Sequence, residues 1–215
     1  MSQEKANIMK TTILVILLVV AGAPLMGQEV QTLFRGSSPS GGYGAISNKF
    51  THIAGQYANV AEVYGGWFIK RKFLLGVGAA ASTNNISVPK QFSTAPLTNM
   101  SWQYGQFGLV TEYVFWSNRV VHFNVSLFNG GGFTVQYERE RWDHWDDNYD
   151  DDLEHDENFF YVMEPGVQLE VNVLKWLRLS PGISYRKTFG SDGIGLDDDA
   201  LSDWSYNIAL KIGRF

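Results

Sequence analysis

The sequence predicts an all-β fold: an eight-stranded antiparallel up-and-down transmembrane β-barrel with short periplasmic turns and long extracellular loops. Three observations predict it. Segments of about ten residues alternate apolar with polar side chains, the connections between them are alternately short and long, and aromatic residues concentrate where the segments end. Alternation is typical of strands, because successive side chains point to opposite faces.

The chain begins with the pattern of a secretory signal peptide, predicted over residues 1–27. A lysine precedes the apolar run Ile13–Ala23, and small residues follow it as far as Gly27. This run is too short for a transmembrane helix, which needs about 20 residues. We therefore expect cleavage near Gly27, a short periplasmic segment over 28–39 and the barrel over 40–215.

Eight alternating segments follow the leader. In chain order they cover about 41–50, 55–69, 72–83 and 103–115, and then begin at Val121, Tyr161, Leu177 and Tyr206. The first three are weaker and richer in glycine and alanine. In the fourth, Phe107 and Leu109 fall on one face, whereas Gln106 and Glu112 fall on the other. This alternation predicts strands that lie between an apolar and a polar environment.

The connections fall into two groups. Short turns are predicted at 69–72, 117–119 and 174–176, a modest loop at 51–55, and long polar loops at 82–101, 138–158 and 190–202. Short turns at one end and long loops at the other are typical of an outer-membrane barrel. Both termini fall on the short-turn side, so we expect that side to face the periplasm.

Alternation alone is equally compatible with a soluble barrel of the lipocalin kind, whose apolar face points inward. Mid-strand charges opposite glycines favour lipid on the outside, and so do two aromatic belts. The belt at the short turns is Trp67, Phe73, Phe115, Trp116 and Trp176; the belt at the loops is Tyr57, Trp102, Tyr137, Phe159, Tyr185 and Trp204. We therefore predict the membrane barrel and keep the lipocalin-like barrel as the alternative.

With the leader, the eight segments and the terminal run Ile208–Phe215, the chain resembles the small outer-membrane β-barrel family of Gram-negative bacteria, with its OmpA-like and OmpX-like members. Gly41-Gly42-Tyr43 and Gly65-Gly66-Trp67 resemble the Bacteroidota type. The resemblance covers nearly all of 40–215, but it is mostly pattern rather than motif. It implies an outer-membrane location, with outer-membrane lipids and glycolipid as surroundings.

The resemblance also implies that the terminal aromatic, Phe215, is the assembly signal recognised by the barrel-assembly machinery. The sequence departs from the family pattern here. The outward positions of the last segment are even-numbered, whereas 215 is odd. Either the strand end bulges, or Phe215 turns away from the outward row.

The inward face carries charges, although an eight-stranded barrel is only wide enough to be filled by side chains. The predicted interior charge network is Glu62, Glu112, His122, Glu164, Glu170, Arg178, Arg186 and Lys211. An unpaired buried ion costs several kcal/mol, so we expect Glu164 or Glu170 to pair with Arg178 or Arg186. A structural plug is the favoured interpretation, and a narrow gated channel through this network is the alternative.

The third loop, 138–158, is strongly acidic, with nine carboxylates between residues 142 and 157. Carboxylate and amide oxygens suit divalent cations such as calcium, although the spacing is not that of an EF-hand. The candidate cation-binding residues are Asp143, His144, Asp146, Asp147, Asn148, Asp150, Asp152 and His155. A solvated acidic loop without a metal is the alternative.

Basic residues mark both ends of the predicted barrel. Lys70, Arg71, Lys72, Arg119 and Lys175 lie at the short turns, where anionic phospholipid headgroups attract them. Arg139, Arg141, Arg186 and Lys187 lie near the loops, where we expect the phosphates of a glycolipid.

Several function classes are excluded by composition. With no cysteine the chain forms neither a disulfide nor a thiolate metal site, and a net charge of −5 argues against nucleic-acid binding. The predicted function is a non-enzymatic barrel with a structural or interaction role. It presents the loop 138–158 to cations or to other envelope proteins, with no cofactor beyond such a cation. A rim hydrolase that uses Asp143 and His144 is a further alternative.

Overall fold

The computed structural model describes residues 41–138 and 157–215, and most of them lie in strands. The barrel strands are β1 (Gly41–Ile53), β2 (Gln56–Ile69), β3 (Phe73–Ser82), β4 (Met100–Phe115), β5 (Val121–Glu138), β6 (Asn158–Leu174), β7 (Leu177–Phe189) and β8 (Asp203–Gly213). In the described part of the chain, no helix is long and apolar enough to cross a membrane. The predicted signal peptide (1–27) and periplasmic segment (28–39) lie outside the described residues.

The eight strands close into one antiparallel barrel. Each strand pairs with the next along the chain, including β3 with β4 on either side of residues 83–99, and β1 pairs with β8. At the closure Tyr43 lies opposite Gly213 and Phe50 lies opposite Tyr206. The predicted up-and-down topology is confirmed.

The outer surface is apolar and the lumen is polar. Apolar side chains at alternate positions are exposed, among them Val63, Val77, Phe107, Leu109, Val167, Leu169, Ile208 and Leu210. The intervening positions carry buried lysine, glutamate, arginine, serine and asparagine side chains. A lipocalin-like barrel has the opposite arrangement, with its apolar face inside, so that alternative is wrong.

The first connection differs from the predicted loop over 51–55. β1 continues to Ile53, and Ala54 and Gly55 alone form the turn, with φ values of 50° and 72°. Thr51 belongs to the strand, and its hydroxyl donates to the Trp204 carbonyl oxygen at 2.9 Å. The polar Thr51 near the strand end has the character of a loop residue, but its side chain is buried on the inward face of the strand.

Two of the long loops fold over the end of the barrel and close it. Residues 83–99 include a two-residue strand, Ile86–Ser87, and a 3₁₀ turn, Lys90–Phe92. Residues 190–202 include the short helix α1 (Asp198–Leu201). Their apolar side chains Ile86, Val88, Leu196 and Leu201 are buried, and backbone bonds such as Ala54 N to Ala200 O (2.8 Å) hold them in place. We call this layer the loop-side cap.

Trp102 was expected in the aromatic belt next to the loops, and this expectation is wrong. Its position in β4 has the same parity as Gln106, and its side chain is 1% exposed. Because β4 begins at Met100, Trp102 points into the lumen and packs among the buried residues under the loop-side cap. By contrast, Tyr57, Phe159 and Trp204 of the same predicted belt are exposed.

Glycines allow two strands to approach closely where the wall of this narrow barrel bends. Gly108 of β4 lies opposite Gly130 of β5. A Cβ at Gly130 would lie 2.1 Å from the Phe107 carbonyl oxygen, whereas a Cβ at the adjacent Gly131 would meet nothing nearer than 3.5 Å. The backbone of β4 therefore requires glycine at 130 but not at 131.

We expect Gly130→Ala to lower the free energy of unfolding by about 1–3 kcal/mol, because β4 and β5 must separate to admit the methyl group. Gly131→Ala is the matched control on the same strand and should leave stability nearly unchanged. Urea unfolding of the detergent-solubilised protein, followed by tryptophan fluorescence, measures both. Equal stabilities for the two variants would contradict this account of the wall.

Candidate functional site

The buried charges of the lumen form two groups at different heights. Nearer the short turns lies the turn-side cluster, made of Glu112, His122, Glu170, Arg178 and Lys211. Nearer the long loops lies the loop-side cluster, made of Lys49, Glu62 and Glu164. All eight side chains occupy inward positions of their strands, so the strand register fixes which of them meet.

Lys211 of β8 is the centre of the turn-side cluster. Its Nζ lies 2.6 Å from Glu170 Oε1 and 2.9 Å from both carboxylate oxygens of Glu112. The Tyr43 hydroxyl also donates to Glu112. The ammonium group is fully buried and carries three bonds to two carboxylates, so it neutralises charge on β4 and β6 together.

Glu170 collects further donors from neighbouring strands. Arg178 Nη1 lies 3.0 Å from Glu170 Oε2, His122 Nε2 lies 2.7 Å from the same oxygen, and Asn124 Nδ2 donates to Oε1 at 2.6 Å. The second ring nitrogen of His122 lies 3.0 Å from the Arg119 carbonyl oxygen. His122 is therefore a hydrogen-bonded lumen residue with both nitrogens engaged.

Lys49 of β1 organises the loop-side cluster, and sequence reasoning missed it. Its Nζ lies 2.7 Å from Glu62 and 3.0 Å from Glu164, and Ser184 donates to Glu164 at 2.6 Å. The signal was present in β1: Ile46 and Phe50 are outward, so the odd-numbered Lys49 must point inward. The short predicted segment and its weak alternation concealed this parity.

Arg186 bonds with backbone rather than with a carboxylate. Its Nε donates to the Leu201 carbonyl oxygen at 2.7 Å and Nη2 donates to the His52 carbonyl oxygen at 2.9 Å. The guanidinium also lies 4.9 Å from the Tyr104 ring centroid. Arg186 thus ties the loop-side cap to the barrel. With its side chain 2% exposed, the expectation that it meets glycolipid phosphates is wrong.

A small cavity of about 30 Å³ lies in the lumen beside both clusters, lined by Lys49, Glu62, Glu112 and Glu164 among others. This space is enough for only a few water molecules. Above the cavity the loop-side cap covers the lumen, with Trp102 and Leu201 almost fully buried. The described residues therefore surround a filled lumen rather than an open pore.

Phe215 turns away from the outward row. Strand β8 ends at Gly213, and the Phe215 ring lies 5.2 Å from the Tyr43 ring and 3.8 Å from the Arg178 guanidinium carbon. Tyr43 and Arg178 are both inward residues, so the terminal aromatic closes against the lumen. The role of Phe215 as an assembly signal stays a prediction.

The candidate cation-binding residues of the third loop (Asp143, His144, Asp146, Asp147, Asn148, Asp150, Asp152 and His155) lie outside the described residues. In the fourth loop, aspartates serve the fold: Asp197 accepts from Ala200 N at 2.8 Å and Asp198 accepts from Ser191 N at 2.8 Å. Across residues 41–138 and 157–215, no group of three or more potential ligands is arranged to hold a metal ion.

Comparison with solved structures identifies the fold. The crystal structure of Neisserial surface protein A matches 80% of this chain and 96% of its own, with a TM-score of 0.57 and 7% identity. The N-terminal β-barrel domain of Pseudomonas aeruginosa OprF matches 80% of this chain and 96% of its own, with a TM-score of 0.48 and 11% identity. Yersinia pestis Ail matches 81% of this chain and 97% of its own, with a TM-score of 0.46 and 11% identity. No protein-family model and no curated protein matches the sequence. The fold is that of the small outer-membrane barrels.

We expect Lys211→Met to lower the free energy of unfolding by about 3–5 kcal/mol, because it leaves two buried carboxylates facing each other without their shared cation. Adding Glu112→Gln to this variant should restore part of the loss, since Glu170 keeps Arg178. Lys187→Met is the control, because Lys187 pairs with the exposed Asp199 and such surface pairs contribute about 0–1 kcal/mol. Urea unfolding measures all three, and a Lys211→Met variant as stable as the parent would contradict the role of Lys211.

Proposed function

We propose that the protein is a closed, non-enzymatic outer-membrane β-barrel with a structural or interaction role, and that its activity resides in the surface its long loops present. The observation that carries the proposal is the filled lumen. Two ion-pair clusters occupy the lumen, and the loop-side cap covers the end of the barrel that carries the long loops. A molecule of this kind offers its ends to partners rather than its interior to a solute.

The proposed location rests on the distribution of polarity. Lipid satisfies no backbone hydrogen bonds, and a closed sheet needs none from its surroundings. The outward rows are apolar, and Trp67, Trp116 and Trp176 are exposed at the short-turn end, where an interfacial belt is expected. The predicted signal peptide provides export to the outer membrane.

The narrow channel, the alternative use of this network, requires several steps to open. Lys211 would have to leave Glu112 and Glu170, and Lys49 would have to leave Glu62 and Glu164. Even then the loop-side cap would block the exit. Each buried ion that loses its partner costs several kcal/mol, so the closed state dominates.

We expect the protein extracted from membranes to migrate faster on a gel unboiled than boiled, because a closed barrel stays folded in mild detergent. In planar bilayers we expect no conductance steps from the parent or from Glu170→Gln. The gel shift tests the closed barrel and the bilayer tests the plugged lumen. Regular steps whose size changes in Glu170→Gln would contradict the plug and support the channel.

The loop 138–158 is the proposed presented surface, and nine acidic residues in its sequence support cation binding there. We expect calcium to bind the parent by calorimetry. Binding should be lost when Asp146, Asp147, Asp150 and Asp152 are all changed to asparagine. The matched control changes Asp192 and Asp199 of the fourth loop. Equal affinities for both variants would show that the acidic loop is solvated and binds no defined ion.

Asp143 and His144, the residues of the rim-hydrolase alternative, belong to the same loop, and that activity stays a prediction. Changing them to asparagine and alanine tests the hydrolase, and because both are also candidate cation ligands, calcium binding is measured in the same variant. Loss of hydrolysis of an ester or peptide substrate in that variant would support an enzyme. Calcium binding that survives in the same variant would separate the two activities.

A further inference from the structure

The open end of the barrel holds a cavity of about 910 Å³ beneath the turn-side cluster, which we call the turn-side vestibule. Its size is in the range of sites for small organic molecules. Four basic side chains line it: Arg71, Lys175, Arg178 and Arg214. Phe215, the last residue of the sequence, also lines it, but within the described part of the chain no aspartate or glutamate side chain does. The vestibule therefore concentrates positive charge in a concave surface.

Arg178 contributes the buried part of this surface. Its side chain is 3% exposed, and Nη1 bonds to Glu170 at 3.0 Å. Its Nε is also buried, but among the described residues it has no hydrogen-bond partner. A buried donor without an acceptor costs about 1–3 kcal/mol, and more when it is charged. An anion at the vestibule floor would supply both charge and acceptors.

The rim arginines are held by the backbone around the mouth. Arg71 lies in the three-residue turn between β2 and β3 with φ of 56°, and Lys72 N bonds to Ile69 O at 3.0 Å within that turn. Arg214 N bonds to Gly42 O at 3.0 Å. The closed sheet thus fixes the backbone from which both side chains reach the cavity. Converging cations repel one another unless an anion lies between them.

We infer that the turn-side vestibule is a binding site for a phosphate-bearing anion, with Arg178 at the floor and Arg71 and Arg214 at the rim. Guanidinium groups match the oxygens of a phosphate in a bidentate geometry. The exposed apolar residues Val173 and Leu174 border the same cavity and suit the organic part of such a ligand. The inference is independent of what the long loops bind.

Two sources share this chemistry: the headgroup of a phospholipid in the facing leaflet, and a soluble phosphorylated compound. Inorganic pyrophosphate is the probe for the shared site. We expect calorimetry in a neutral detergent to detect its binding to the intact protein. The double variant Arg71→Gln and Arg214→Gln should bind it at least tenfold more weakly.

The double variant Lys70→Gln and Lys72→Gln is the matched control. These lysines flank Arg71 on the same turn but do not line the vestibule, so affinity should fall less than twofold. Equal losses in the two double variants would overturn the inference, because they would show a diffuse basic surface. An undetectable heat of binding to the parent would overturn it as well.

A second measurement separates the two sources. The parent is placed in nanodiscs of phosphatidylcholine, with or without phosphatidylglycerol, and titrated with pyrophosphate. If the anionic lipid weakens pyrophosphate binding at least fivefold, the vestibule accepts lipid headgroups. If the affinity is the same in both discs, it accepts soluble phosphates and excludes the lipid. Either result supports the site, and the arginine variants decide whether the site exists.

Discussion

Pairing of the first strand with the last is the constraint from which the other features follow. Because β1 bonds to β8, the sheet presents no edge, and its backbone hydrogen bonds need nothing from lipid. With eight strands the closed cylinder is narrow. A narrow cylinder bends its wall sharply, which explains the glycine pair at Gly108 and Gly130. It also leaves room for side chains but not for a wide pore.

The lumen charges are a consequence of the same closure. Each charged inward residue needs an oppositely charged partner at the same level along the barrel axis, because so narrow a lumen does not hold enough water to solvate it. Lys211 meets Glu112 and Glu170 across three strands, and Lys49 meets Glu62 and Glu164 in the same way. Apart from Lys49–Glu62, which joins consecutive strands, these ion pairs connect strands that are distant in sequence, so they also fix the register of the barrel.

Alternation, turn lengths and the outward apolar rows were sufficient to predict the fold, because each is a local property of the chain. The pairing of the lumen charges, by contrast, depends on residues that are far apart in the sequence. Glu170 and Arg178 lie on adjacent strands, so their proximity could be anticipated. Lys49 and Glu164 are brought together across the barrel, and the carbonyl partners of Arg186 depend on how the loops fold back. Trp102 is a different case: the parity of Gln106 and Glu112 already placed it inside, but its aromatic side chain near a strand end suggested a membrane belt.

The two ends of the barrel differ in how they are closed. At the loop end, buried apolar residues and Arg186 seal the lumen, whereas at the turn end Arg178 belongs both to an ion-pair cluster and to an open basic cavity. A solute that entered from the turn end would meet Lys211 with its carboxylates, then Lys49 with its own, and then an apolar cap. A solute would have to pass all three in turn, so opening one of them alone would not create a path through the barrel. The lumen therefore stabilises the barrel, and the proposed function leaves recognition to its two ends.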